Sequence, residues 1–315
     1  MKLFLGLVAL FAVFWAVTLW RAAANEARAE ARFPPLGRMI DVGGTPVHVL
    51  QQGAGPDIVL IHGASGNLRD FTFDLAGRLT DRYRVTMIDR PGLGYTAVDT
   101  THGASIFDQA DLLVGTAAAL DLDRPLVLGH SYGGAVALAW ATRHPGSLSG
   151  LVLLAAASNP WDTPLSLFYR ILSHPVGGAI LAPILTAWVP DRVLERSIAG
   201  VFDPQPMPDG YAGYIGAELA LRRASLRENA RQRATIEDEI RAMVPDYARV
   251  DIPAEILHGT ADLTVWLSVH SEPLAGQLPG GDLVVMDGVG HAPHHSDPAT
   301  VTAAIDRAAA RAQLR

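Results

Sequence analysis

The chain has no cysteine among its 315 residues. Disulfides and thiolate metal sites are therefore excluded, and the redox compartment stays open, because a cysteine-free chain tolerates either. Charge is also scarce, at 18% of residues with a net of -7. No basic patch stands in the body of the chain, which argues against a nucleic-acid partner. A nucleotide-cradling loop is missing too: Gly92-Leu93-Gly94 lacks the further glycine and lysine such loops require. Internal repeats are absent, and low complexity is confined to an Ala-rich spacer and the C-terminal helix. Apolar residues are what the chain has in quantity, at 49%. The length suits one large domain with a sizeable core, or a domain plus an insert.

Leu3 to Trp20 carries no charge, and at about 1.5 Å per residue it spans roughly 27 Å, near the thickness of a bilayer's hydrocarbon. Lys2 and Arg21 bracket it, and Trp15 and Trp20 sit where interfacial anchors belong. We expect residues 1–21 to be a transmembrane anchor. The rival readings are a cleaved signal peptide, with Ala22-Ala23-Ala24 near the cut, and a buried core helix. Lys2 and the short leading tail favour a cytoplasmic N-terminus with the body outside, while Arg21, Arg28, Arg32 and Arg38 pull the other way. Residues 22–37 read as a solvated helical linker stopped by Pro34-Pro35.

From residue 38 onward short strands alternate with helices. The expected strands are Met39–Val42, Val47–Gln51, Ile58–His62, Arg84–Asp89, Leu126–Gly129, Gly150–Ala155, Ala254–His258 and Asp282–Met286. Runs such as Ile58-Val59-Leu60-Ile61 suit strands buried on both faces of a parallel sheet. The first two read as an edge hairpin turning at Gly43-Gly44. Helical patterns cover Phe107–Leu120, Tyr132–Arg143, Leu263–Ala275 and Pro298–Ala312. Residues 157–251 break the rhythm with aromatics, prolines and then a charged helical run from Ala217 to Met243. We read them as a helical cap inserted into a core made of 38–156 and 252–315.

Gly129-His130-Ser131-Tyr132-Gly133 sits between an apolar strand and a small-residue helix. A serine in a sharp strand-to-helix turn is presented as a nucleophile, and glycines permit the tight backbone. A serine hydroxyl needs a base, and an imidazole base needs an acid to fix its tautomer. In the chain order Ser…Asp…His, the base is His291 in Gly288-Val289-Gly290-His291, between the last strand and the last helix. His294 and His295 are expected instead to line that loop or cap the last helix. As a metal pair they lack an evident third ligand. The acid is Asp262, in the loop after Ala254–His258, with Asp287 and Asp162 in reserve and helix capping as its plain alternative. A tetrahedral oxyanion needs backbone donors. Tyr132, after the serine, and Ala64, in the tight loop His62-Gly63-Ala64-Ser65-Gly66, are the expected pair. Asp89-Arg90-Pro91-Gly92-Leu93-Gly94 reads as a structural turn.

These five motifs, in this order from about Arg38 to the C-terminus, resemble the α/β-hydrolase superfamily, in its branch of capped esterases, haloperoxidase-like enzymes and carbon–carbon-bond hydrolases. The resemblance implies an α/β fold with an eight-stranded, mostly parallel sheet, helices on both faces, a helical cap after the sixth strand and no cofactor or metal. By position it also implies Ser131 as nucleophile, Asp262 as acid, His291 as base, and Ala64 and Tyr132 as oxyanion donors. Serine at 131 sets aside the branches with an aspartate nucleophile. The expected activity is a serine hydrolase acting on a small-molecule acyl substrate, most simply an apolar carboxylic ester. Amide or carbon–carbon bond hydrolysis is the enzymatic alternative, and a non-catalytic binding module of the same fold the other.

Overall fold

Eight strands form one sheet: β1 Arg38–Val42, β2 Thr45–Gln52, β3 Asp57–Ile61, β4 Arg84–Ile88, β5 Leu126–His130, β6 Gly150–Leu154, β7 Ala254–Gly259 and β8 Gly281–Met286. They lie in the order β1-β2-β4-β3-β5-β6-β7-β8. Only β1–β2 and β2–β4 pair antiparallel, and every other neighbour is parallel. All eight expected strands are present, with ends displaced by at most two residues. The computed structural model describes residues 1–98 and 105–314.

The longer helices, numbered in chain order, are α1 Lys2–Arg32, α2 Ile106–Ala119, α3 Tyr132–Arg143, α4 Leu167–Ser173, α5 Pro175–Trp188, α6 Asp191–Ala199, α7 Arg223–Met243, α8 Ser271–Gln277 and α9 Pro298–Arg311. Ser105 caps α2 by accepting the Phe107 N–H at 3.1 Å, and Asp297 caps α9 through Thr300 at 3.0 Å, as short polar side chains do at helix starts. The helix expected from Leu263 begins only at Ser271.

Alternation along the central strands divides the core into two layers. Val59, Ile61, Val127 and Leu151 point to one face, under α2 and α3 and beside Ile236, Ile240 and Tyr247. Ile58, Leu60, Leu128 and Val152 point to the other, under Phe71, Leu75 and the α9 residues Ile305 and Ala308. Each fully buried aliphatic side chain contributes on the order of 1.5–3 kcal/mol. Between β6 and β7 the described elements are all helical, from α4 to the end of α7 and the following 3-10 turn Val244–Arg249.

α1 rules out one rival reading and modifies one expectation. It is not a buried core helix, since Leu3, Phe4 and Leu10 are 80%, 68% and 67% exposed. Its second half is solvated on one face only, with Ala23, Ala27, Arg28 and Ala31 exposed. One continuous helix runs to Arg32 and ends before Pro34-Pro35, and residues 18–33 lie against α5 and the start of α7. Asn25 Nδ2 donates to the Thr186 carbonyl at 2.9 Å. Glu26 accepts from the Arg223 guanidinium at 2.9 and 2.6 Å and from its backbone N–H at 2.8 Å. Ala22, Ala29 and Phe33 are buried. A charge-rich stretch that looks solvated in isolation finds its counter-charges on a helix nearly 200 positions away.

Candidate active site

The parallel strands deliver their C-terminal ends to one edge of the sheet, and the loops leaving that edge carry the candidate residues. Ser131 follows β5 and has φ 54° and ψ -118°, a left-handed and strained backbone for a non-glycine residue. The turn is held by Ser131 N–H donating to the Leu154 carbonyl at 2.9 Å and Ala157 N–H donating to the Ser131 carbonyl at 3.2 Å. Glycine is required on both sides of it. A Cβ on Gly129 would lie 2.3 Å from the Gly133 carbonyl oxygen, and one on Gly133 would lie 2.2 Å from that of Ile61.

Ser131, His291 and Asp262 stand in a hydrogen-bonded line. His291 Nε2 is 2.9 Å from Ser131 Oγ, and His291 Nδ1 is 2.7 Å from Asp262 Oδ2. All three are buried. Asp262 Oδ1 accepts from the N–H groups of Thr264 and Val265 at 2.8 and 2.9 Å. Burial alone would raise the pKa of Asp262, but hydrogen bonds from His258 and His291 and the charge on His291 outweigh it, and the carboxyl is held well below its usual range. Asp287 is exposed and bonded to Thr260 at 3.2 Å, and Asp162 is exposed, so neither reserve acid joins the line.

The expected oxyanion residues flank the serine. Tyr132 is the first residue of α3, so its amide sits at the positive end of a helix dipole. The His62–Gly66 loop passes beside Ser131: a Cβ on Gly63 would be 3.2 Å from Ser131 Cβ. Ala64, half-buried, follows directly, and the next N–H, Ser65, donates to Asn229 Oδ1 of α7 at 2.9 Å.

Sequence reasoning missed three supporting groups. Arg90, placed in a structural turn, is fully buried and donates to the carbonyls of His62 and Gly63, each at 2.9 Å. His258 brings Nε2 to 3.2 Å from Asp262 Oδ2; it lies at the end of β7, four residues before Asp262, and that spacing was the only sequence signal. The third is Asp70. His294 and His295 do not cap α9, which Asp297 does, and instead point Nε2 at the two Asp70 oxygens, at 3.2 and 2.8 Å. Tyr211 adds its hydroxyl at 2.7 Å.

Asp70 thus places a third group of metal-ligating type beside His294 and His295. The fit to a metal is poor, because a metal-bound imidazole donates its other ring N–H to a partner, and Nδ1 of both histidines is buried without one. Donation from two Nε2–H groups and the tyrosine hydroxyl satisfies the carboxylate. Burial opposes its charge, yet the charge on His294 and the bonds from both histidines hold the Asp70 pKa well below the usual value. His130 lies between this cluster and His291. Its Nε2–H donates to the His291 carbonyl at 2.8 Å, and burial together with neighbouring His294 and His291 keeps it neutral.

A family model described as the α/β hydrolase family matches residues 58–305. The chain belongs to the α/β hydrolase family. Among its relatives, an uncharacterized protein of Mycobacterium tuberculosis is 28% identical over 287 residues, covering 84% of this chain and 81% of that one. A 2-hydroxy-6-oxo-2,4-heptadienoate hydrolase of Pseudomonas putida is 34% identical over 125 residues, covering 38% of this chain and 45% of that one. A solved membrane phospholipase A, described as a bacterial virulence factor, superposes with a TM-score of 0.66 at 24% identity, over 98% of this chain and 99% of its own. An esterase from Exiguobacterium antarcticum superposes with a TM-score of 0.67 at 19% identity, over 87% and 99%. At these identities the superpositions establish the hydrolase fold, and the chemistry must be argued from the residues.

Proposed function

We propose that this hydrolase is a membrane-anchored serine esterase that works through an acyl-enzyme. The observation that carries the reading is the buried line Ser131–His291–Asp262, at 2.9 and 2.7 Å, starting from a strained turn. In this scheme His291 Nε2 takes the Ser131 proton as Oγ attacks the ester carbonyl, and Asp262 steadies the resulting imidazolium. The amides of Ala64 and Tyr132 receive the oxyanion. Collapse expels the alcohol, which leaves with the proton from His291. A water then attacks the acyl group with His291 again as base, releasing the carboxylic acid and restoring Ser131. No cofactor or metal is needed for any step. Phe202 and Tyr211 pack with Ala292, the residue after His291, and the apolar surroundings they give the base support a small or medium apolar ester as substrate.

α1 is the one single helix among the described residues long and apolar enough to cross a membrane, and the bent pair α4–α5 is so only when its two helices are taken together. We assign α1 the anchor, with the N-terminus inside and the body outside. A reporter fused to the C-terminus, active only in the extracytoplasmic compartment, is the expected outcome for that orientation. The stretch similar to the Pseudomonas putida hydrolase supports a second reading, carbon–carbon bond hydrolysis with the same residues. A screen of p-nitrophenyl esters of increasing chain length against amides and vinylogous 1,3-diketones separates the readings. Ser131→Ala is expected to abolish both ester turnover and fluorophosphonate labelling. Labelling that continues at the wild-type rate rules the scheme out.

A further inference from the structure

Uncovered apolar surface on α4 and α5 has no explanation in the site chemistry. Leu167, Phe168, Ile171, Val176, Ile180 and Trp188 all stay exposed, Leu167 to 67% and Val176 to 62%. So many exposed large apolar side chains on two adjoining helices mark a partner. With 7 and 14 residues and a bend of 108° between them, α4 and α5 reach roughly 10 and 21 Å, too short for either to cross a bilayer.

The contacts of α5 with α1 say what covers the face. Phe14 stacks on Trp188 with ring centroids 6.3 Å apart and planes 6° from parallel. Thr18 Oγ1 accepts from Trp188 Nε1–H at 3.1 Å, and the Arg21 guanidinium lies 4.3 Å from the centre of the same ring. Phe14 precedes Trp20, the last residue of the uncharged stretch, by about 9 Å of helix. The Trp188 end of α5 is therefore level with the last turns of the uncharged stretch of α1, while the Ala187 and Thr186 carbonyls accept from Arg21 and Asn25 just beyond it.

We propose that α4 and α5 lie in the membrane interface, a second attachment to the lipid bilayer beside α1. The inference rests on the reading of α1 as an anchor. A bent pair of short apolar helices lies in the interface plane with its apolar face among the acyl chains. Trp188 then sits at the headgroup level, where tryptophan concentrates, with Arg21 directed to the water side.

The absence of cysteine makes the test clean. Leu10→Cys, Ile180→Cys and Gly146→Cys in the full chain are each labelled with an environment-sensitive NBD fluorophore and reconstituted in phosphatidylcholine–phosphatidylglycerol vesicles. Gly146 is exposed in the turn before β6, at the opposite end of the sheet from Ser131. Acyl-chain nitroxide lipids are expected to cut the emission at positions 10 and 180 by half or more and to leave position 146 unchanged. Val176→Cys repeats the measurement one turn from Ile180. Quenching at 10 but not at 180 or 176 overturns the proposal and leaves the anchor intact. No quenching at 10 overturns the anchor and the proposal together. A fluorophore at 180 shielded from both lipid nitroxide and aqueous iodide means that a second copy of the chain covers the face, which also overturns the proposal.

Discussion

Arg90 grips His62 at both ends: its backbone N–H donates to His62 Nε2 at 2.9 Å and its Nε–H to the His62 carbonyl at 2.9 Å. Its remaining donors reach the Gly63 carbonyl at 2.9 Å and the side-chain oxygens of Gln109 and Gln232 at 2.9 and 2.8 Å. The guanidinium lies 4.2 Å from the centre of the Tyr132 ring. One side chain thus ties the His62–Gly66 loop to the helix that starts beside Ser131. Burial lowers its pKa to about 10, which leaves it charged at neutral pH.

The first prediction concerns that clamp. Arg90→Lys keeps the charge but loses the planar fork of donors, so the loop shifts relative to Ser131. We expect kcat on esters to fall roughly 10- to 100-fold, the cost of misplacing a reacting group by about an ångström. Labelling by fluorophosphonate slows without disappearing. Arg90 is a positioning residue in this account, so an unchanged kcat alongside a lowered Tm would reduce it to a purely structural role.

The carboxylate of Asp262 invites a sharper substitution. Its Oδ1 is committed to the Thr264 and Val265 N–H groups at 2.8 and 2.9 Å. Asp262→Asn keeps that oxygen as acceptor and so turns its NH₂ toward His291 Nδ1. The imidazole then carries its proton on Nε2 and cannot take one from Ser131. A loss of about 10³- to 10⁴-fold in kcat is expected with the fold retained, together with a lowered melting temperature because the NH₂ also faces His258, read by steady-state kinetics beside a thermal scan. Near-normal kcat in the variant would remove Asp262 from the scheme.

Stability is expected to fall on acidification well before the carboxylates protonate. His62, by burial and the adjacent Arg90 charge, has its pKa lowered from 6.5 to about 4. His270, by burial and the nearby His258, is lowered equally to about 4, and its Nδ1 accepts the N–H groups of Ser158 and Asn159 at 3.2 Å. The unfolded chain binds protons at these histidines below about 6.5 while the folded chain does not, so stability rises with pH across this window. The contribution is complete above about 6.5 and is lost as pH falls toward 4. Chemical denaturation from pH ~8 to ~4.5 measures it, with His270→Asn expected to flatten the slope. A wild-type midpoint that stays level down to ~4.5 would contradict it.

The fold was largely legible from sequence for a local reason. Runs such as Ile58–Ile61 and Leu126–Leu128 are buried on both faces, and continuous apolar stretches can be read without knowing their neighbours. Ser131 was conspicuous because its turn demands glycine at 129 and 133. Arg90, His258 and Asp70 were not legible. Each belongs to a polar group of a kind common on surfaces, and its importance comes from burial against partners on other elements. The pairing of Asp70 with His294 spans 224 positions, beyond any periodicity. The second half of α1 misled for the same reason: alanine, arginine and glutamate in alternation look solvated until Arg223 and Thr186 are placed beside them.

By itself, the sequence determined which residues occupy the turns, in what order, and which segments become strand or helix, because side-chain spacing and backbone preference act over a few residues. Tertiary structure alone decided the distances. It closed 160 positions between Ser131 and His291 to 2.9 Å and 29 positions between His291 and Asp262 to 2.7 Å. The reason is the order of the parallel strands, which brings the C-terminal ends of β5, β7 and β8 to one edge of the sheet.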